Sequence, residues 1–266
     1  SSKTVEISGG TFSSEFAEDL CAEGLAPTQN DDGTYGVAKA KVAEVGNVKY
    51  ETLAEAVSKA EAGQTIVLLA DMADIGQIKI SKNLTINGNG HTISGNSDIN
   101  VNMPKNAEAE VTIDNVVFRN IANGNKLSAF YFAQAMGKLT IKNCTFDSIE
   151  YEALQITPAP GAVINISNNK FIAKEDGTQV RHIHVEMAYG SGFDYEGQSI
   201  SLTITDNQLH GAVCGDASMG VWWVGTDSTL KLSGNYIEAP ETVSITLSKN
   251  GNHYNRGDLI YPSRSK

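Results

Sequence analysis

The chain has 266 residues, of which 41% are hydrophobic and 7% aromatic, and its formal net charge is −11. Nucleic acid is excluded as a partner, because the 20 basic residues are scattered and form none of the Lys/Arg clusters that bind phosphate. Membrane insertion is not expected, since no run of about 18 apolar residues is present, and three dispersed cysteines form neither a disulfide framework nor a zinc pattern.

The first 41 residues contain a short alternating segment, VEISGGTF at positions 5–12. The same alternation of apolar and polar residues returns at positions 230–237, LKLSGNYI. We therefore assign residues 1–41 to an N-terminal coil-like segment. It is either the last coil of a preceding solenoid or a strand that folds back.

Residues 42–70 have the pattern of a strand followed by a helix. A strand is predicted over residues 45–50, and Thr52 with Glu55 three positions later forms a capping box that starts a helix. Gly63 stands where that helix would stop. Because the open end of a repeat structure exposes backbone hydrogen-bonding groups, residues 42–70 are predicted to be its cap.

From residue 71 to residue 266 the chain is organised by a repeat. An apolar–polar–apolar triplet such as Leu-Thr-Ile starts at positions 84, 111, 139, 164, 202 and 230. The starts lie 27, 28, 25, 38 and 28 residues apart, and each interval also holds a second alternating strand. Within each triplet the two apolar side chains are expected to point inward and the middle one to face solvent, because side chains alternate along a strand.

A polar corner and a bulky apolar residue follow most of the triplets, as in Asn115 to Phe118 and Asn143 to Phe146. Asn suits such corners because it tolerates left-handed backbone and its amide can bond to the next coil. The repeat predicts an all-β fold, a right-handed parallel β-helix (solenoid) over residues 71–266 with an N-terminal strand–helix cap. A leucine-rich repeat, a propeller and an antiparallel sandwich fit this period less well. A monomer is expected.

Two phrases carry a resemblance to a known superfamily. YETLAEAV at residues 50–57, with AGQTIV at 62–67, resembles the first helix and first strand of pectate-lyase-like right-handed parallel β-helix proteins, and NGNGHTI at 87–93 is similar to their first full coil. The resemblance implies the fold but says little about activity, since this fold hosts lyases, hydrolases, adhesins and phage spikes. Residues 5–12 together with residues 30–37 are similar to segments of large gut-bacterial surface proteins, which implies a secreted, extracellular or cell-surface location.

The longest interval between triplets contains a possible polar site. In His182-Ile-His184-Val-Glu186, strand alternation directs Ile183 and Val185 inward and the two histidines and the glutamate outward. Such a set could bind a divalent metal, form part of a polar binding wall, or have no role. A fourth metal ligand is not visible in the sequence, so no metal and no cofactor is assigned.

Aligned on their inward residues, neighbouring coils place Tyr131, Gln155, His184 and Trp222 in one outward column. A loop with Asp194 and Tyr195 would overhang this column. Aromatic rings with amide and carboxylate neighbours suit sugars, which present C–H faces and hydroxyls. The ligand-binding candidates are Tyr131, Gln155, His182, His184, Glu186, Asp194, Tyr195 and Trp222.

These features predict a secreted or cell-surface bacterial β-helix protein that binds a polysaccharide, or a host glycan or protein, without catalysis. The alternative is a polysaccharide lyase or glycoside hydrolase, in which Glu186 acts with Glu150, Glu152, Asp194 or Glu196. Recognisable lyase and galacturonase signatures, such as a paired-Asp strand or a calcium cluster with a partnering Arg, are not found. Whether the chain is an enzyme stays open at this point, and a purely structural stalk is a third possibility.

Overall fold

The computed structural model describes most of the chain, and the all-β prediction is confirmed in it because strands predominate and most of them pair in parallel. The described residues are 6–22, 24–102, 108–122, 128–133, 136–186, 199–214, 217–225, 227–238, 243–249 and 252–255. Over these ranges, no helix has both the length and the apolar character that a membrane crossing requires.

The N-terminal part pairs within itself. After a short 3-10 helix (Glu18–Leu20), strands β1 (Leu25–Gln29) and β2 (Tyr35–Lys39) form an antiparallel pair. Upstream, Ile7 bridges Cys21 and Phe12 bridges Tyr35. Among the described residues, the segment that repeats the phrase of residues 230–237 therefore finds its partners locally.

The predicted strand over residues 45–50 is wrong, since the chain turns there. Strands β3 (Ala43–Val45) and β4 (Val48–Tyr50) pair antiparallel, with Val45 opposite Val48. Gly46 lies between them at a φ of 60°, in the left-handed region that a two-residue hairpin requires.

Helix α1 (Leu53–Lys59) begins at the predicted residue. Thr52 has extended backbone, and its side chain accepts a hydrogen bond from the backbone N–H of Glu55 at 3.1 Å, which satisfies one otherwise unpaired helix donor. Strand β5 (Thr65–Leu68) follows and pairs with β3.

Strands with a regular order make up the rest of the described chain. They are β6 (Met72–Ala73), β7 (Gly76–Ile80), β8 (Leu84–Asn87), β9 (Thr92–Gly95), β10 (Ser97–Asn102), β11 (Glu108–Asp114), β12 (Val117–Ile121), β13 (Phe130–Ala133), β14 (Met136–Lys142), β15 (Thr145–Asp147), β16 (Glu152–Thr157), β17 (Val163–Ser167), β18 (Lys170–Ile172), β19 (Arg181–Glu186), β20 (Ser201–Thr205), β21 (Gln208–His210), β22 (Met219–Gly225), β23 (Thr229–Ser233), β24 (Tyr236–Ile237), β25 (Val243–Lys249) and β26 (Asn252–Asn255).

Three sheets share these strands in rotation, so every third strand returns to the same sheet. The nine-stranded sheet has the order β4-β3-β5-β8-β11-β14-β17-β20-β23, the seven-stranded sheet β6-β9-β12-β15-β18-β21-β24, and the eight-stranded sheet β7-β10-β13-β16-β19-β22-β25-β26. Pairing in these three sheets is parallel except where β3 meets β4 and β5 and where β26 folds back on β25.

Like side chains lie directly opposite one another in the core. In the nine-stranded sheet Ile113, Ile141 and Ile166 are paired in register and fully buried. In the seven-stranded sheet the rings of Phe118, Phe146 and Phe171 stack at 4.9 and 5.0 Å, with an interplanar angle of 6° in each pair. The predicted inward direction of these apolar residues is confirmed.

The corners that precede these aromatic rings are built as predicted. Asn115, Asn143 and Asn168 have φ values of 54° to 56°, the left-handed backbone that Asn tolerates better than most residues. One position further along, a row of amides that is buried at Asn169 and Asn207 and half-buried at Asn235 links successive repeats. Asn169 Nδ2 donates to Asn207 Oδ1 at 3.0 Å, and Asn207 Nδ2 donates to Asn235 Oδ1 at 2.9 Å. We call these three residues the asparagine ladder.

Candidate functional site

The outer face of the eight-stranded sheet, which we call the outer wall, carries most of the predicted site residues. Tyr131, Gln155 and His184 lie opposite one another on β13, β16 and β19, as predicted. Tyr131 and Gln155 are half-buried, whereas their strand neighbours on the inner face are fully buried. Ser128 Oγ donates to Gln155 Oε1 at 3.2 Å.

Trp222 is not in this row, and the predicted register of its strand is wrong. Gly220 lies opposite His184, and Trp222 lies opposite Glu186. Alignment of the coils on their inward residues paired Ile183 with Val221, whereas its partner in the structure is Met219. Either register of β22 against β19 keeps apolar residues on the inner face, so the alternation of apolar and polar residues does not distinguish the two registers.

The indole ring of Trp222 nevertheless returns to the row, because Gly220 leaves space for it. A Cβ atom on Gly220 would lie 2.0 Å from the ring atom Cη2 of Trp222. The ring therefore lies across Gly220, with its centroid 4.9 Å from the His184 imidazole and 4.6 Å from Cζ of Arg181. The latter contact is a cation–π interaction.

His182 was predicted to face outward, and the structure contradicts this. Its side chain is fully buried and its ring lies 5.8 Å from that of Phe171 in the core. The cause is a break in the alternation: the backbone N–H groups of His182 and Ile183 both donate to the carbonyl of Ser218 at 3.1 Å, so two residues oppose one. Ile183 and the next inward residue, Val185, are fully buried as predicted.

The same finding argues against the hypothesis of a metal site on this strand, because His182 does not share a face with His184 and Glu186. Burial lowers the pKa of His182 to about 4, so its imidazole is neutral at physiological pH. Within the described ranges, no three His, Cys, Asp or Glu side chains are grouped so as to hold a metal ion. Asp194 and Tyr195, the two loop candidates, lie outside the described residues.

Four ionisable side chains on the outer wall form a continuous series of ion pairs, which we call the charge chain. Arg181 Nη1 lies 2.8 Å from Glu152 Oε1, His184 Nδ1 lies 2.9 Å from Glu152 Oε2, and His184 Nε2 lies 2.8 Å from Glu186 Oε2. The Glu152 side chain is only 1% exposed, whereas that of Glu186 is 25% exposed. The buried carboxylate is therefore held between two cations, and the outer one reaches solvent.

His184 is positively charged at neutral pH in this setting. Burial by itself would lower the pKa of His184, but its hydrogen bonds to Glu152 and Glu186 outweigh that effect and raise the pKa to about 9. Both ring nitrogens then donate, so His184 offers no lone pair to a metal ion or to a substrate proton. Its role is to fix the two carboxylates and the edge of the Trp222 ring.

The raised pKa of His184 predicts a specific pH dependence of stability. A histidine with a folded-state pKa above its unfolded value of about 6.5 contributes fully below that pH and loses its contribution as the pH rises to about 9. We expect the free energy of unfolding to fall by roughly 3 kcal/mol over this range. Urea unfolding of the wild type and of His184→Gln across this range would measure it, since the variant lacks the titrating group. Parallel pH profiles for the two proteins would contradict the assignment.

Three members of this arrangement were missed or undervalued by sequence reasoning: Glu152 as the central buried anion, Arg181 as its partner, and Gly220 as the support of the indole. Glu152 and Arg181 are 29 residues apart, and only the parallel pairing of β16 with β19 brings them together. Gly220 did leave a signal, because a glycine inside a strand often marks a close approach of another group.

Comparison with known proteins gives no match to the chain, whether to a family model, to a curated protein or to a solved structure.

Proposed function

We propose that the chain is a right-handed parallel β-helix protein of the bacterial cell surface or exterior that binds a glycan at its outer wall and does not turn it over. The pectate-lyase-like resemblance of residues 50–93 supports the fold, and the surface-protein resemblance of residues 5–12 and 30–37 supports the location. The rotation of strands through three parallel sheets, with like residues in register, also supports the β-helix.

The observation that carries the binding function is the position of the Trp222 ring. It lies on the outer wall across Gly220, against Arg181 and His184, and next to Glu186. Tyr131 and Gln155 continue the same surface over the two preceding strands. An aromatic ring bordered by fixed hydrogen-bonding groups matches a sugar, whose C–H face packs on the ring while its hydroxyls bond to the border.

Binding is favoured over hydrolysis by the placement of the carboxylates. A glycoside hydrolase needs two carboxyl groups with the scissile bond between them. Glu152 and Glu186 are separated by the imidazole of His184, which contacts both of them, and Glu152 is buried with both oxygens engaged. This pair has no room for a sugar. A lyase base is equally hard to place, because each ring nitrogen of His184 already faces a carboxylate.

Replacement of Trp222 tests the proposed function. We expect Trp222→Ala to weaken binding to any glycan that the wild type retains by about ten-fold or more, as is typical for a buried aromatic anchor. Gly220→Ala should act in the same direction, because its new methyl group displaces the ring. Binding is measured on a glycan array and then by calorimetry with the strongest ligand.

Tyr236→Ala is the matched control, since Tyr236 is an aromatic residue, 44% exposed, on the seven-stranded sheet. Its binding should equal that of the wild type. Two results would overturn the proposal: retention of glycans that is unaffected by Trp222→Ala and Gly220→Ala, or release of new reducing ends or unsaturated sugars from a bound polymer by the wild type.

A further inference from the structure

The charges on the described part of the outer wall cancel around the Trp222 ring. Arg181 and His184 supply two positive charges, and Glu152 and Glu186 supply two negative charges within 2.9 Å of them. On this described part of the wall, a charged ligand would therefore meet two cations that each already contact an anion, and two anions that each already contact a cation.

Neither cation is available to an incoming anion. The Arg181 guanidinium bonds to the buried Glu152 carboxylate and lies against the indole ring, and its side chain is only 17% exposed. The His184 ring has a carboxylate at each nitrogen. A ligand carboxylate or sulfate would have to displace one of these, and an uncompensated buried carboxylate is strongly unfavourable.

On the strands of the eight-stranded sheet whose side chains are described, Arg181 and Lys79 are the only Lys or Arg residues. The chain as a whole carries a net charge of −11. Lys79, on the first strand of the same sheet, is four strands from His184. At about 4.8 Å per strand it lies roughly 19 Å away, beyond the screening length of physiological salt.

We infer that the ligand of the outer wall is an uncharged sugar polymer, and that uronate-containing and sulfated polysaccharides are rejected. This inference rests on the proposed function and narrows it to one chemical class. The selectivity arises because Arg181 and His184 are each already paired with a carboxylate of the protein, and not because cations are absent from the site.

The test uses polymers that differ in charge alone. Polygalacturonate and alginate are each compared with the same polymer after reduction of its carboxyl groups, and chitosan is compared with its N-acetylated form, on a glycan array that also carries neutral xylan, mannan, galactan and β-glucan. We expect the wild type to retain neutral polymers only, with an affinity that salt hardly changes. Retention of a charged polymer that Trp222→Ala abolishes overturns this inference but leaves the proposed function standing. Retention of no polymer overturns both.

A charge variant provides a second readout. Glu186→Gln leaves the charge chain with one excess positive charge, so binding of polygalacturonate at low salt should rise by about five-fold over the wild type. Glu110→Gln is the matched control, because it changes the net charge of the protein equally at a 68% exposed side chain on the nine-stranded sheet. An equal response of the two variants, or none from Glu186→Gln, would show that charge pairing does not set the selectivity.

Discussion

Glu152→Ala is expected to lower the free energy of unfolding by about 3–5 kcal/mol, because it removes the anion from the centre of a buried charge series. Glu152 is 1% exposed and contacts Arg181 at 2.8 Å and His184 at 2.9 Å. Without it, Arg181 and His184 lose the anion that they share, and only Glu186 remains to compensate them. Urea unfolding at neutral pH measures the loss.

The matched control is Glu110→Ala, in which an exposed carboxylate 3.9 Å from Lys138 is removed. Exposed pairs contribute at most about 1 kcal/mol, so this variant should stay close to the wild type. The pKa of His184 in Glu152→Ala, followed by NMR, should also fall from its raised value, since its strongest hydrogen-bond partner is lost. An unfolding free energy like that of Glu110→Ala would mean that Glu152 is not the buried partner described here.

Phe146→Ala is the second substitution with a large expected effect, a loss of about 3–5 kcal/mol in the free energy of unfolding. Its ring is fully buried between those of Phe118 and Phe171, with centroid distances of 4.9 and 5.0 Å. Truncation leaves a cavity between two layers that the parallel strands hold at a fixed spacing, so the neighbours cannot close the gap. Thermal and urea unfolding measure the loss.

Tyr236→Ala serves as the control for this variant as well, because Tyr236 belongs to the same seven-stranded sheet but is 44% exposed. Its unfolding free energy should stay within about 0.5 kcal/mol of the wild type. A loss in Phe146→Ala as small as this would show that the three rings do not form a close-packed stack.

The core could be predicted from the sequence because the repeat fixes which side chains of each strand point inward. Apolar–polar–apolar triplets that recur after 28 and 25 residues place Ile113, Ile141 and Ile166 inward in any arrangement that stacks the strands in register, and the structure has them so. The corner residues were predictable for a local reason. Asn115 and Asn143 follow directly after a strand, where left-handed backbone ends it.

The candidate site was predicted less well, because it depends on departures from that periodicity. His182 is buried because two N–H groups share one carbonyl at the start of β19, and no alternation rule announces such a bulge. Trp222 lies two residues beyond the position opposite His184 that was predicted for it, because the number of residues between β19 and β22 does not follow the repeat. The pairing of Glu152 with Arg181 follows from the parallel register of β16 and β19, in which each residue lies opposite the one 29 positions later, but the expected alternation of faces gave neither of them an outward position.

The asparagine ladder has a consequence for how this scaffold can vary. Asn169 and Asn207 are 38 residues apart in sequence, whereas Asn207 and Asn235 are 28 apart, yet the two amide contacts measure 3.0 and 2.9 Å. The amide contacts are thus equally short whether 28 or 38 residues separate the two asparagines. Foreign peptides of comparable size inserted within the sequence interval 187–198 are therefore expected to leave the asparagine contacts unchanged, which makes this interval the natural place to vary the sequence.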